Sequence, residues 1–144
     1  MKITTKLFNF RLVVIAALFF IFILPVNFVH AQETYPPLPE SLTEGFENGD
    51  AGKISAFFRE TLSVELLNHS GVFSKPQAEK LFQDFFLKNK VDSFKVLRTG
   101  NTGSAENVFT IGEMVSGLIH FRVYLVRSNE NGKYLIHLLS ITKI

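Results

Sequence analysis

Few residues in this chain combine a reactive side chain with an informative position, and five of them lie in its last 32 residues. His137 interrupts the apolar alternation Leu135, Leu139, Ile141. An imidazole in such a row can serve as a general base or as a ligand hook; its plainer alternative is a core histidine satisfied by one hydrogen bond. Glu113 takes a slot that the pattern Phe109, Ile111, Val115 reserves for an apolar group. Facing inward, its carboxyl would be desolvated, its pKa raised, and it would be a candidate proton acceptor. Facing outward, it is a charge near a strand end where Gly112 lets the chain bend. His120, Arg122 and Tyr124 alternate along one segment, so a strand would carry them on one face. Such a stripe suits a carboxylate or a partner's edge, Arg supplying a planar fork and Tyr an amphipathic tip. Its alternative is an ordinary solvated sheet face.

Other chemistries lack their residues. The four histidines, His30, His69, His120 and His137, have no metal-ligand spacing, so neither metal nor cofactor is expected. There is no cysteine, which removes disulfides, thiol catalysis and a lipidation anchor. No Gly-x-Ser-x-Gly occurs, and Gly100-Asn101-Thr102-Gly103 precedes no helical pattern, so it reads as a turn and not a phosphate cradle.

The elements that must position these residues are legible in the periodicity. Ser41 with Glu44 predicts a capping box and a short helix carrying Leu42 and Phe46, limited by Gly45 and Asn48-Gly49. Asp50 predicts a second cap ahead of Ile54, Phe57 and Phe58. Leu62, Val64 and Leu66 at period two predict a first strand within Thr61–Asn68. Ser74-Lys75-Pro76-Gln77 then offers an N-cap, a first-turn proline and a glutamine at N3. Behind it Ala78, Leu81, Phe82, Phe85 and Phe86 fall on one helical face, making this the main hydrophobic helix. Four extended segments follow, Ser93–Thr99, Asn107–Val115, Leu118–Arg127 and Tyr134–Lys143, with short turns that predict an antiparallel meander. A Gly132 bulge in the last turn would set Leu135, His137, Leu139 and Ile141 beside Ile119, Phe121, Val123 and Leu125.

The N-terminus is organised differently. Lys2, Lys6 and Arg11 precede thirteen apolar residues, Leu12–Leu24, then Pro25 and the small-residue pattern Val29-His30-Ala31. That is the tripartite plan of a cleavable secretory signal over residues 1–31. A membrane anchor needs about 20 apolar residues, so contact with the membrane is expected only during export. The product is expected in the periplasm or outside the cell. Residues 32–40, with Pro36, Pro37 and Pro39, read as an extended exposed arm, and residues 41–144 as a single domain. Without the leader's three cations the chain has 12 basic and 13 acidic residues with no basic cluster, which excludes a nucleic-acid partner.

The order of helices, strand, amphipathic helix and four antiparallel strands resembles the cone-shaped α+β fold of the nuclear transport factor 2-like, or cystatin-like, superfamily. Asn48-Gly49-Asp50-Ala51, Phe73–Glu79, Phe85-Phe86, Thr99-Gly100, Phe109–Gly112 and Phe121-Arg122-Val123 are similar to the secreted Bacteroidota family called domain of unknown function 4783, over roughly residues 45–144. The resemblance implies N-terminal helices and one long helix packed on a curved antiparallel sheet, and brings no activity with it. Two functions fit. The first is a non-enzymatic module of the cell envelope that binds a small apolar ligand or an envelope protein, or pairs with itself through the sheet face. The second, by analogy of fold, is an enzyme resembling ketosteroid isomerase or scytalone dehydratase, with His137 or Glu113 as base in an apolar pocket. A core filled by phenylalanine would favour surface interaction.

Overall fold

A computed structural model describes residues 35–104 and 106–144. The leader and the first part of the arm lie outside the described residues. Two short helices open the domain, α1 (Glu40–Asn48) and α2 (Ala51–Ser55), followed by the strands β1 (Phe58–Leu66) and β2 (His69–Ser74). The long helix α3 (Lys75–Lys88) then leads into β3 (Ser93–Asn101), β4 (Asn107–Ser116), β5 (Ile119–Glu130) and β6 (Lys133–Lys143). The strands form one six-stranded sheet in the order β2-β1-β6-β5-β4-β3. All neighbours are antiparallel except β1 and β6, which run parallel. The architecture is the expected α+β one, helices against one face of a mostly antiparallel curved sheet.

The helix α3 forms where the periodicity placed it. Gln77 Oε1 accepts from the Ser74 backbone N–H at 3.0 Å and from its hydroxyl at 2.9 Å, closing the capping box. Ala78, Phe82, Phe85 and Phe86 are buried, and Leu81 half-buried. The N-terminal boundary differs from expectation. Pro39 is the N-cap of α1, its carbonyl accepting from Leu42 and Thr43 at 3.0 Å, so Ser41 lies inside the helix and caps nothing. Glu44 instead meets Lys53 Nζ at 2.9 Å. Gly45 also sits within α1, and the chain leaves the helix at Gly49. Asp50 does cap α2, accepting from the Lys53 N–H at 3.0 Å, but that helix ends at Ser55 and Phe58 already belongs to β1.

Seven phenylalanines, Phe46, Phe58, Phe82, Phe85, Phe86, Phe94 and Phe121, are buried between helices and sheet. Phe46 stacks on Phe94 with centroids 4.9 Å apart, and Phe85 meets Phe121 edge-on at 5.4 Å. Register makes Phe94, Met114 and Phe121 neighbours on this face, with Gly112 and Val123 beside them. Gly112 is there because the Phe94 ring lies over it: a Cβ would stand 2.5 Å from Phe94 Cε2.

The last hairpin corrects the expected register. Its turn is the tight pair Asn131-Gly132, with φ of 52° and 84°, closing Glu130 directly onto Lys133. Asn129 Oδ1 accepts from the Gly132 N–H at 2.9 Å. The bulge is not at Gly132 but opposite Val126 and Arg127, which pair with Leu138 and Ile136 and leave His137 as the extra residue. Beyond it the expected pairing is restored, Leu125 with Leu139 and Val123 with Ile141. The inward row of β6 is therefore Ile136, Leu139 and Ile141, all fully buried.

Candidate functional site

The sheet has one face covered by helices and one open face, and the stripe His120, Arg122, Tyr124 lies on the open one. It alternates with the buried Phe121, Val123 and Leu125, as a strand requires. The ladder sets Val115 against His120, Glu113 against Arg122, Ile111 against Tyr124 and Phe109 against Val126. Glu113 is thus on the open face and not in the core. Its Oε1 accepts from His120 Nδ1 at 2.8 Å, and its Oε2 lies 3.1 Å from Lys95 Nζ. The hydrogen bonds from His120 and Lys95, in that order, hold its carboxyl below the usual carboxylate value against a weaker opposing effect of burial. A base in a desolvating pocket would be shifted the other way. His120→Ala is expected to move the Glu113 carboxyl midpoint up toward its ordinary value, read by carbon NMR of the side-chain carboxyl. Because folding depresses that pKa, any stabilisation from the pair is present at neutral pH and lost as pH falls through the folded midpoint. An unchanged midpoint would remove the pair from the account.

Aromatic and cationic groups gather on the same face. Phe109 and Tyr124 have ring centroids 6.2 Å apart, and the Arg98 guanidinium stands 5.8 Å from the Phe109 centroid. Lys95, Arg98 and Arg122 are exposed around them, with Glu113 in their midst and Glu65 on the same face, its Oε2 accepting from the hydroxyl of Ser140 at 2.8 Å beside Tyr124. Farther along, a groove of about 290 Å³ runs between Ser63, Glu65, Val72 and Leu138. Val72 there is 73% exposed.

His137 does not line the helix-covered interior. The bulge takes it out of the inward row, and it is half-buried with Nδ1 lacking a hydrogen-bond partner among the described residues. Its charged neighbours are Arg59 and Glu130, which pair with each other. Burial first, and then Arg59, lower its pKa. The clefts of about 440 Å³ between Asp50, Glu79 and Gln83, of about 440 Å³ beside Phe73, Pro76 and Lys80, and of about 230 Å³ between His69, Asp84 and Lys88 include neither His137 nor Glu113.

One buried charged residue escaped the sequence reading. Arg127 continues the inward row Phe121, Val123, Leu125 and is 1% exposed. Its Nη1 donates to the Pro37 carbonyl at 3.1 Å and its Nη2 to the Pro36 carbonyl at 2.8 Å. The described part of the arm, Tyr35–Pro39, is therefore laid against the domain: Tyr35, Pro36, Leu38 and Pro39 are half-buried, and Pro37 is exposed. The signal was the parity of β5, which assigns position 127 to the core side whatever its charge.

The protein-family model described as "Domain of unknown function (DUF4783)" matches residues 39–142. No curated protein matches the chain. Among solved structures, a DUF4783 family protein from Bacteroides ovatus ATCC 8483 has 29% sequence identity and a TM-score of 0.69, with 74% of this chain and 96% of that chain covered. An NTF-2 like protein of unknown function from Silicibacter pomeroyi DSS-3 has 12% identity and a TM-score of 0.54, with 73% and 88% covered. A domain of unknown function with a cystatin-like fold from Nostoc punctiforme PCC 73102 has 12% identity and a TM-score of 0.57, with 72% and 71% covered. The last two are likenesses of fold.

Proposed function

From the premise that this chain belongs to the DUF4783 family, we propose that it is an exported, non-enzymatic module that docks an acidic protein partner of the cell envelope through the open face of its sheet. The observation that carries this reading is the contrast between the two faces. One is packed with phenylalanine, while the other presents Phe109 and Tyr124 among Lys95, Arg98 and Arg122. Tyr and Arg are the residues that most often dominate binding energy at interfaces. Lys95, Arg98 and Arg122 against Glu113 and Glu65 leave this face with a small excess of cations, which favours a partner carrying carboxylates. Export rests on the leader pattern of residues 1–31. The enzymatic alternative has less support, since Glu113 is held ionised on the open face and His137 is displaced by a bulge.

A photo-crosslinking residue in place of Tyr124, in cells that make the protein, is expected to trap an envelope protein. The adduct should weaken with added salt and be lost with Arg122→Glu. The same crosslinker at the exposed Gln83, on α3, is the control. Adducts that are absent at Tyr124, or equal at the two positions and indifferent to Arg122→Glu, would remove the reading. An adduct of two copies of this chain would replace the acidic partner with a homodimer through the sheet face.

A further inference from the structure

The two ends of the sheet are built from different residues. Strands β1, β4 and β6 run in one direction and β2, β3 and β5 in the other. One end therefore gathers the β1–β2 turn Leu67-Asn68, the β4–β5 turn Gly117-Leu118, residues 89–92 between α3 and β3, and the close of β6. Backbone bonds tie these segments together. The Leu67 N–H donates to the Ile141 carbonyl at 3.2 Å, the Asp92 N–H to that of Val115 at 2.8 Å, and the Ile144 N–H to that of His120 at 2.9 Å. At the other end the strand connections are residues 102–106 and 131–132, which contain no leucine, isoleucine, valine or aromatic residue.

Exposed apolar groups are concentrated at the first end. Of the seven large apolar side chains exposed among the described residues, Leu67, Leu87, Leu118 and Ile144 lie there, and Leu118 is 99% exposed. Each hairpin tip thus holds out a leucine where a polar residue or glycine is the usual choice. Leu67 does so against its backbone preference. Its φ of 53° is left-handed, a conformation that glycine and asparagine accept and that is unfavourable for leucine. An apolar tip kept at the expense of its own turn points to a use outside the fold.

Cations adjoin these leucines. Lys88 follows Leu87, Lys143 precedes Ile144, and Lys90 lies between α3 and β3. All three are exposed, and none forms an ion pair among the described residues. Most carboxylates nearby are engaged. Asp92 Oδ2 accepts from the Gly117 N–H at 2.6 Å, Asp84 faces Lys80 at 3.5 Å, and Asp50 caps α2. Glu65 accepts from the Ser140 hydroxyl, and Glu113 is held by His120 and Lys95. Glu47, on α1, is exposed. Protein interfaces are depleted in lysine, and their hot spots favour tryptophan, tyrosine and arginine over leucine. Leucine beside lysine suits a lipid surface, the one entering below the headgroups and the other reaching their phosphates.

We propose that this end of the domain docks on an anionic lipid bilayer, Leu67, Leu87 and Leu118 entering the interfacial layer and Lys88, Lys90 and Lys143 contacting headgroup phosphates. The folded domain makes this contact, separately from any passage of the leader through a membrane. It does not rest on the reading of the open face as a docking surface.

The probe is vesicles of equal parts phosphatidylcholine and phosphatidylglycerol, with phosphatidylcholine alone for comparison, sedimented with the chain without its leader. Binding is expected on the anionic vesicles, weaker on the zwitterionic ones, and reduced by salt. Leu118→Asn, at a side chain that packs on nothing, should lower the partition coefficient about tenfold. Leu67→Asn should lower it as well while leaving the urea midpoint no lower, because asparagine tolerates the left-handed turn. Lys90→Glu should weaken binding at least about fivefold, and Lys133→Glu, the same change of charge at the opposite end, far less. Absence of binding to the anionic vesicles overturns the proposal. So does binding that Leu118→Asn leaves unchanged, or that Lys90→Glu and Lys133→Glu weaken equally. Self-association without lipid that Leu118→Asn abolishes, together with no vesicle binding, would instead give this end to a second copy of the chain.

Discussion

Phe82→Ala is expected to destabilise the domain by about 3–5 kcal/mol, measured by urea unfolding of the chain without its leader. Phe82 is 0% exposed at the middle of α3, and its ring lies 5.8 Å from that of Phe58, the first residue of β1. Truncation removes the transfer free energy of a whole ring and leaves a cavity that neighbours on a rigid sheet cannot fill. A domain of this size has a total stability of roughly 5–15 kcal/mol, so the loss is a large fraction of the whole. The control is Leu87→Ala on the same helix, where the side chain is 80% exposed and the change should stay within about 0.5 kcal/mol. Equal effects for the two variants would mean that α3 does not pack on the sheet as described.

Gly112→Ala is expected to cost about 1–3 kcal/mol, toward the upper end of that range. The added methyl would stand 2.5 Å and 2.8 Å from two atoms of the Phe94 ring and 3.1 Å from the Lys95 carbonyl oxygen. Neither side yields easily. Gly112 is paired with Val96 on one flank and Val123 on the other, and the Phe94 ring is held against Phe46. Shortening the obstructing ring should relieve the clash, so Phe94→Leu and Gly112→Ala together should cost less than the sum of their separate effects. Simple additivity would show that the ring is free to move aside, contrary to the packing described.

Much of the fold was legible before any coordinates. The apolar face of α3 repeats at 3.6 residues behind a serine, a proline and a glutamine in capping positions, so its start and its buried side are local properties. The alternation along β5 likewise determined that His120, Arg122 and Tyr124 share a face, whatever they pair with. The strand β2 was not legible, because it lies at the sheet edge with only its last two residues half-buried and so carries no alternation. The bulge at His137 was anticipated in kind but not in place. Asn131-Gly132 favours a tight turn, and the extra residue was pushed along the strand to where the pairing with β5 changes.

The candidate site divides in the same way. That Glu113 sits with His120 and Lys95 follows from the register of three strands, which no one of those strands specifies alone. Arg127 shows the limit most clearly. Its sequence position determines that it faces the core, but the carbonyls that accept its hydrogen bonds belong to prolines some ninety positions earlier in the chain. By itself the sequence determined which side of each helix and strand avoids water, because that information is carried by neighbours three or two residues away. Only the tertiary structure decided what covers each side, because covering surfaces are brought together by packing and register between segments that share no local signal.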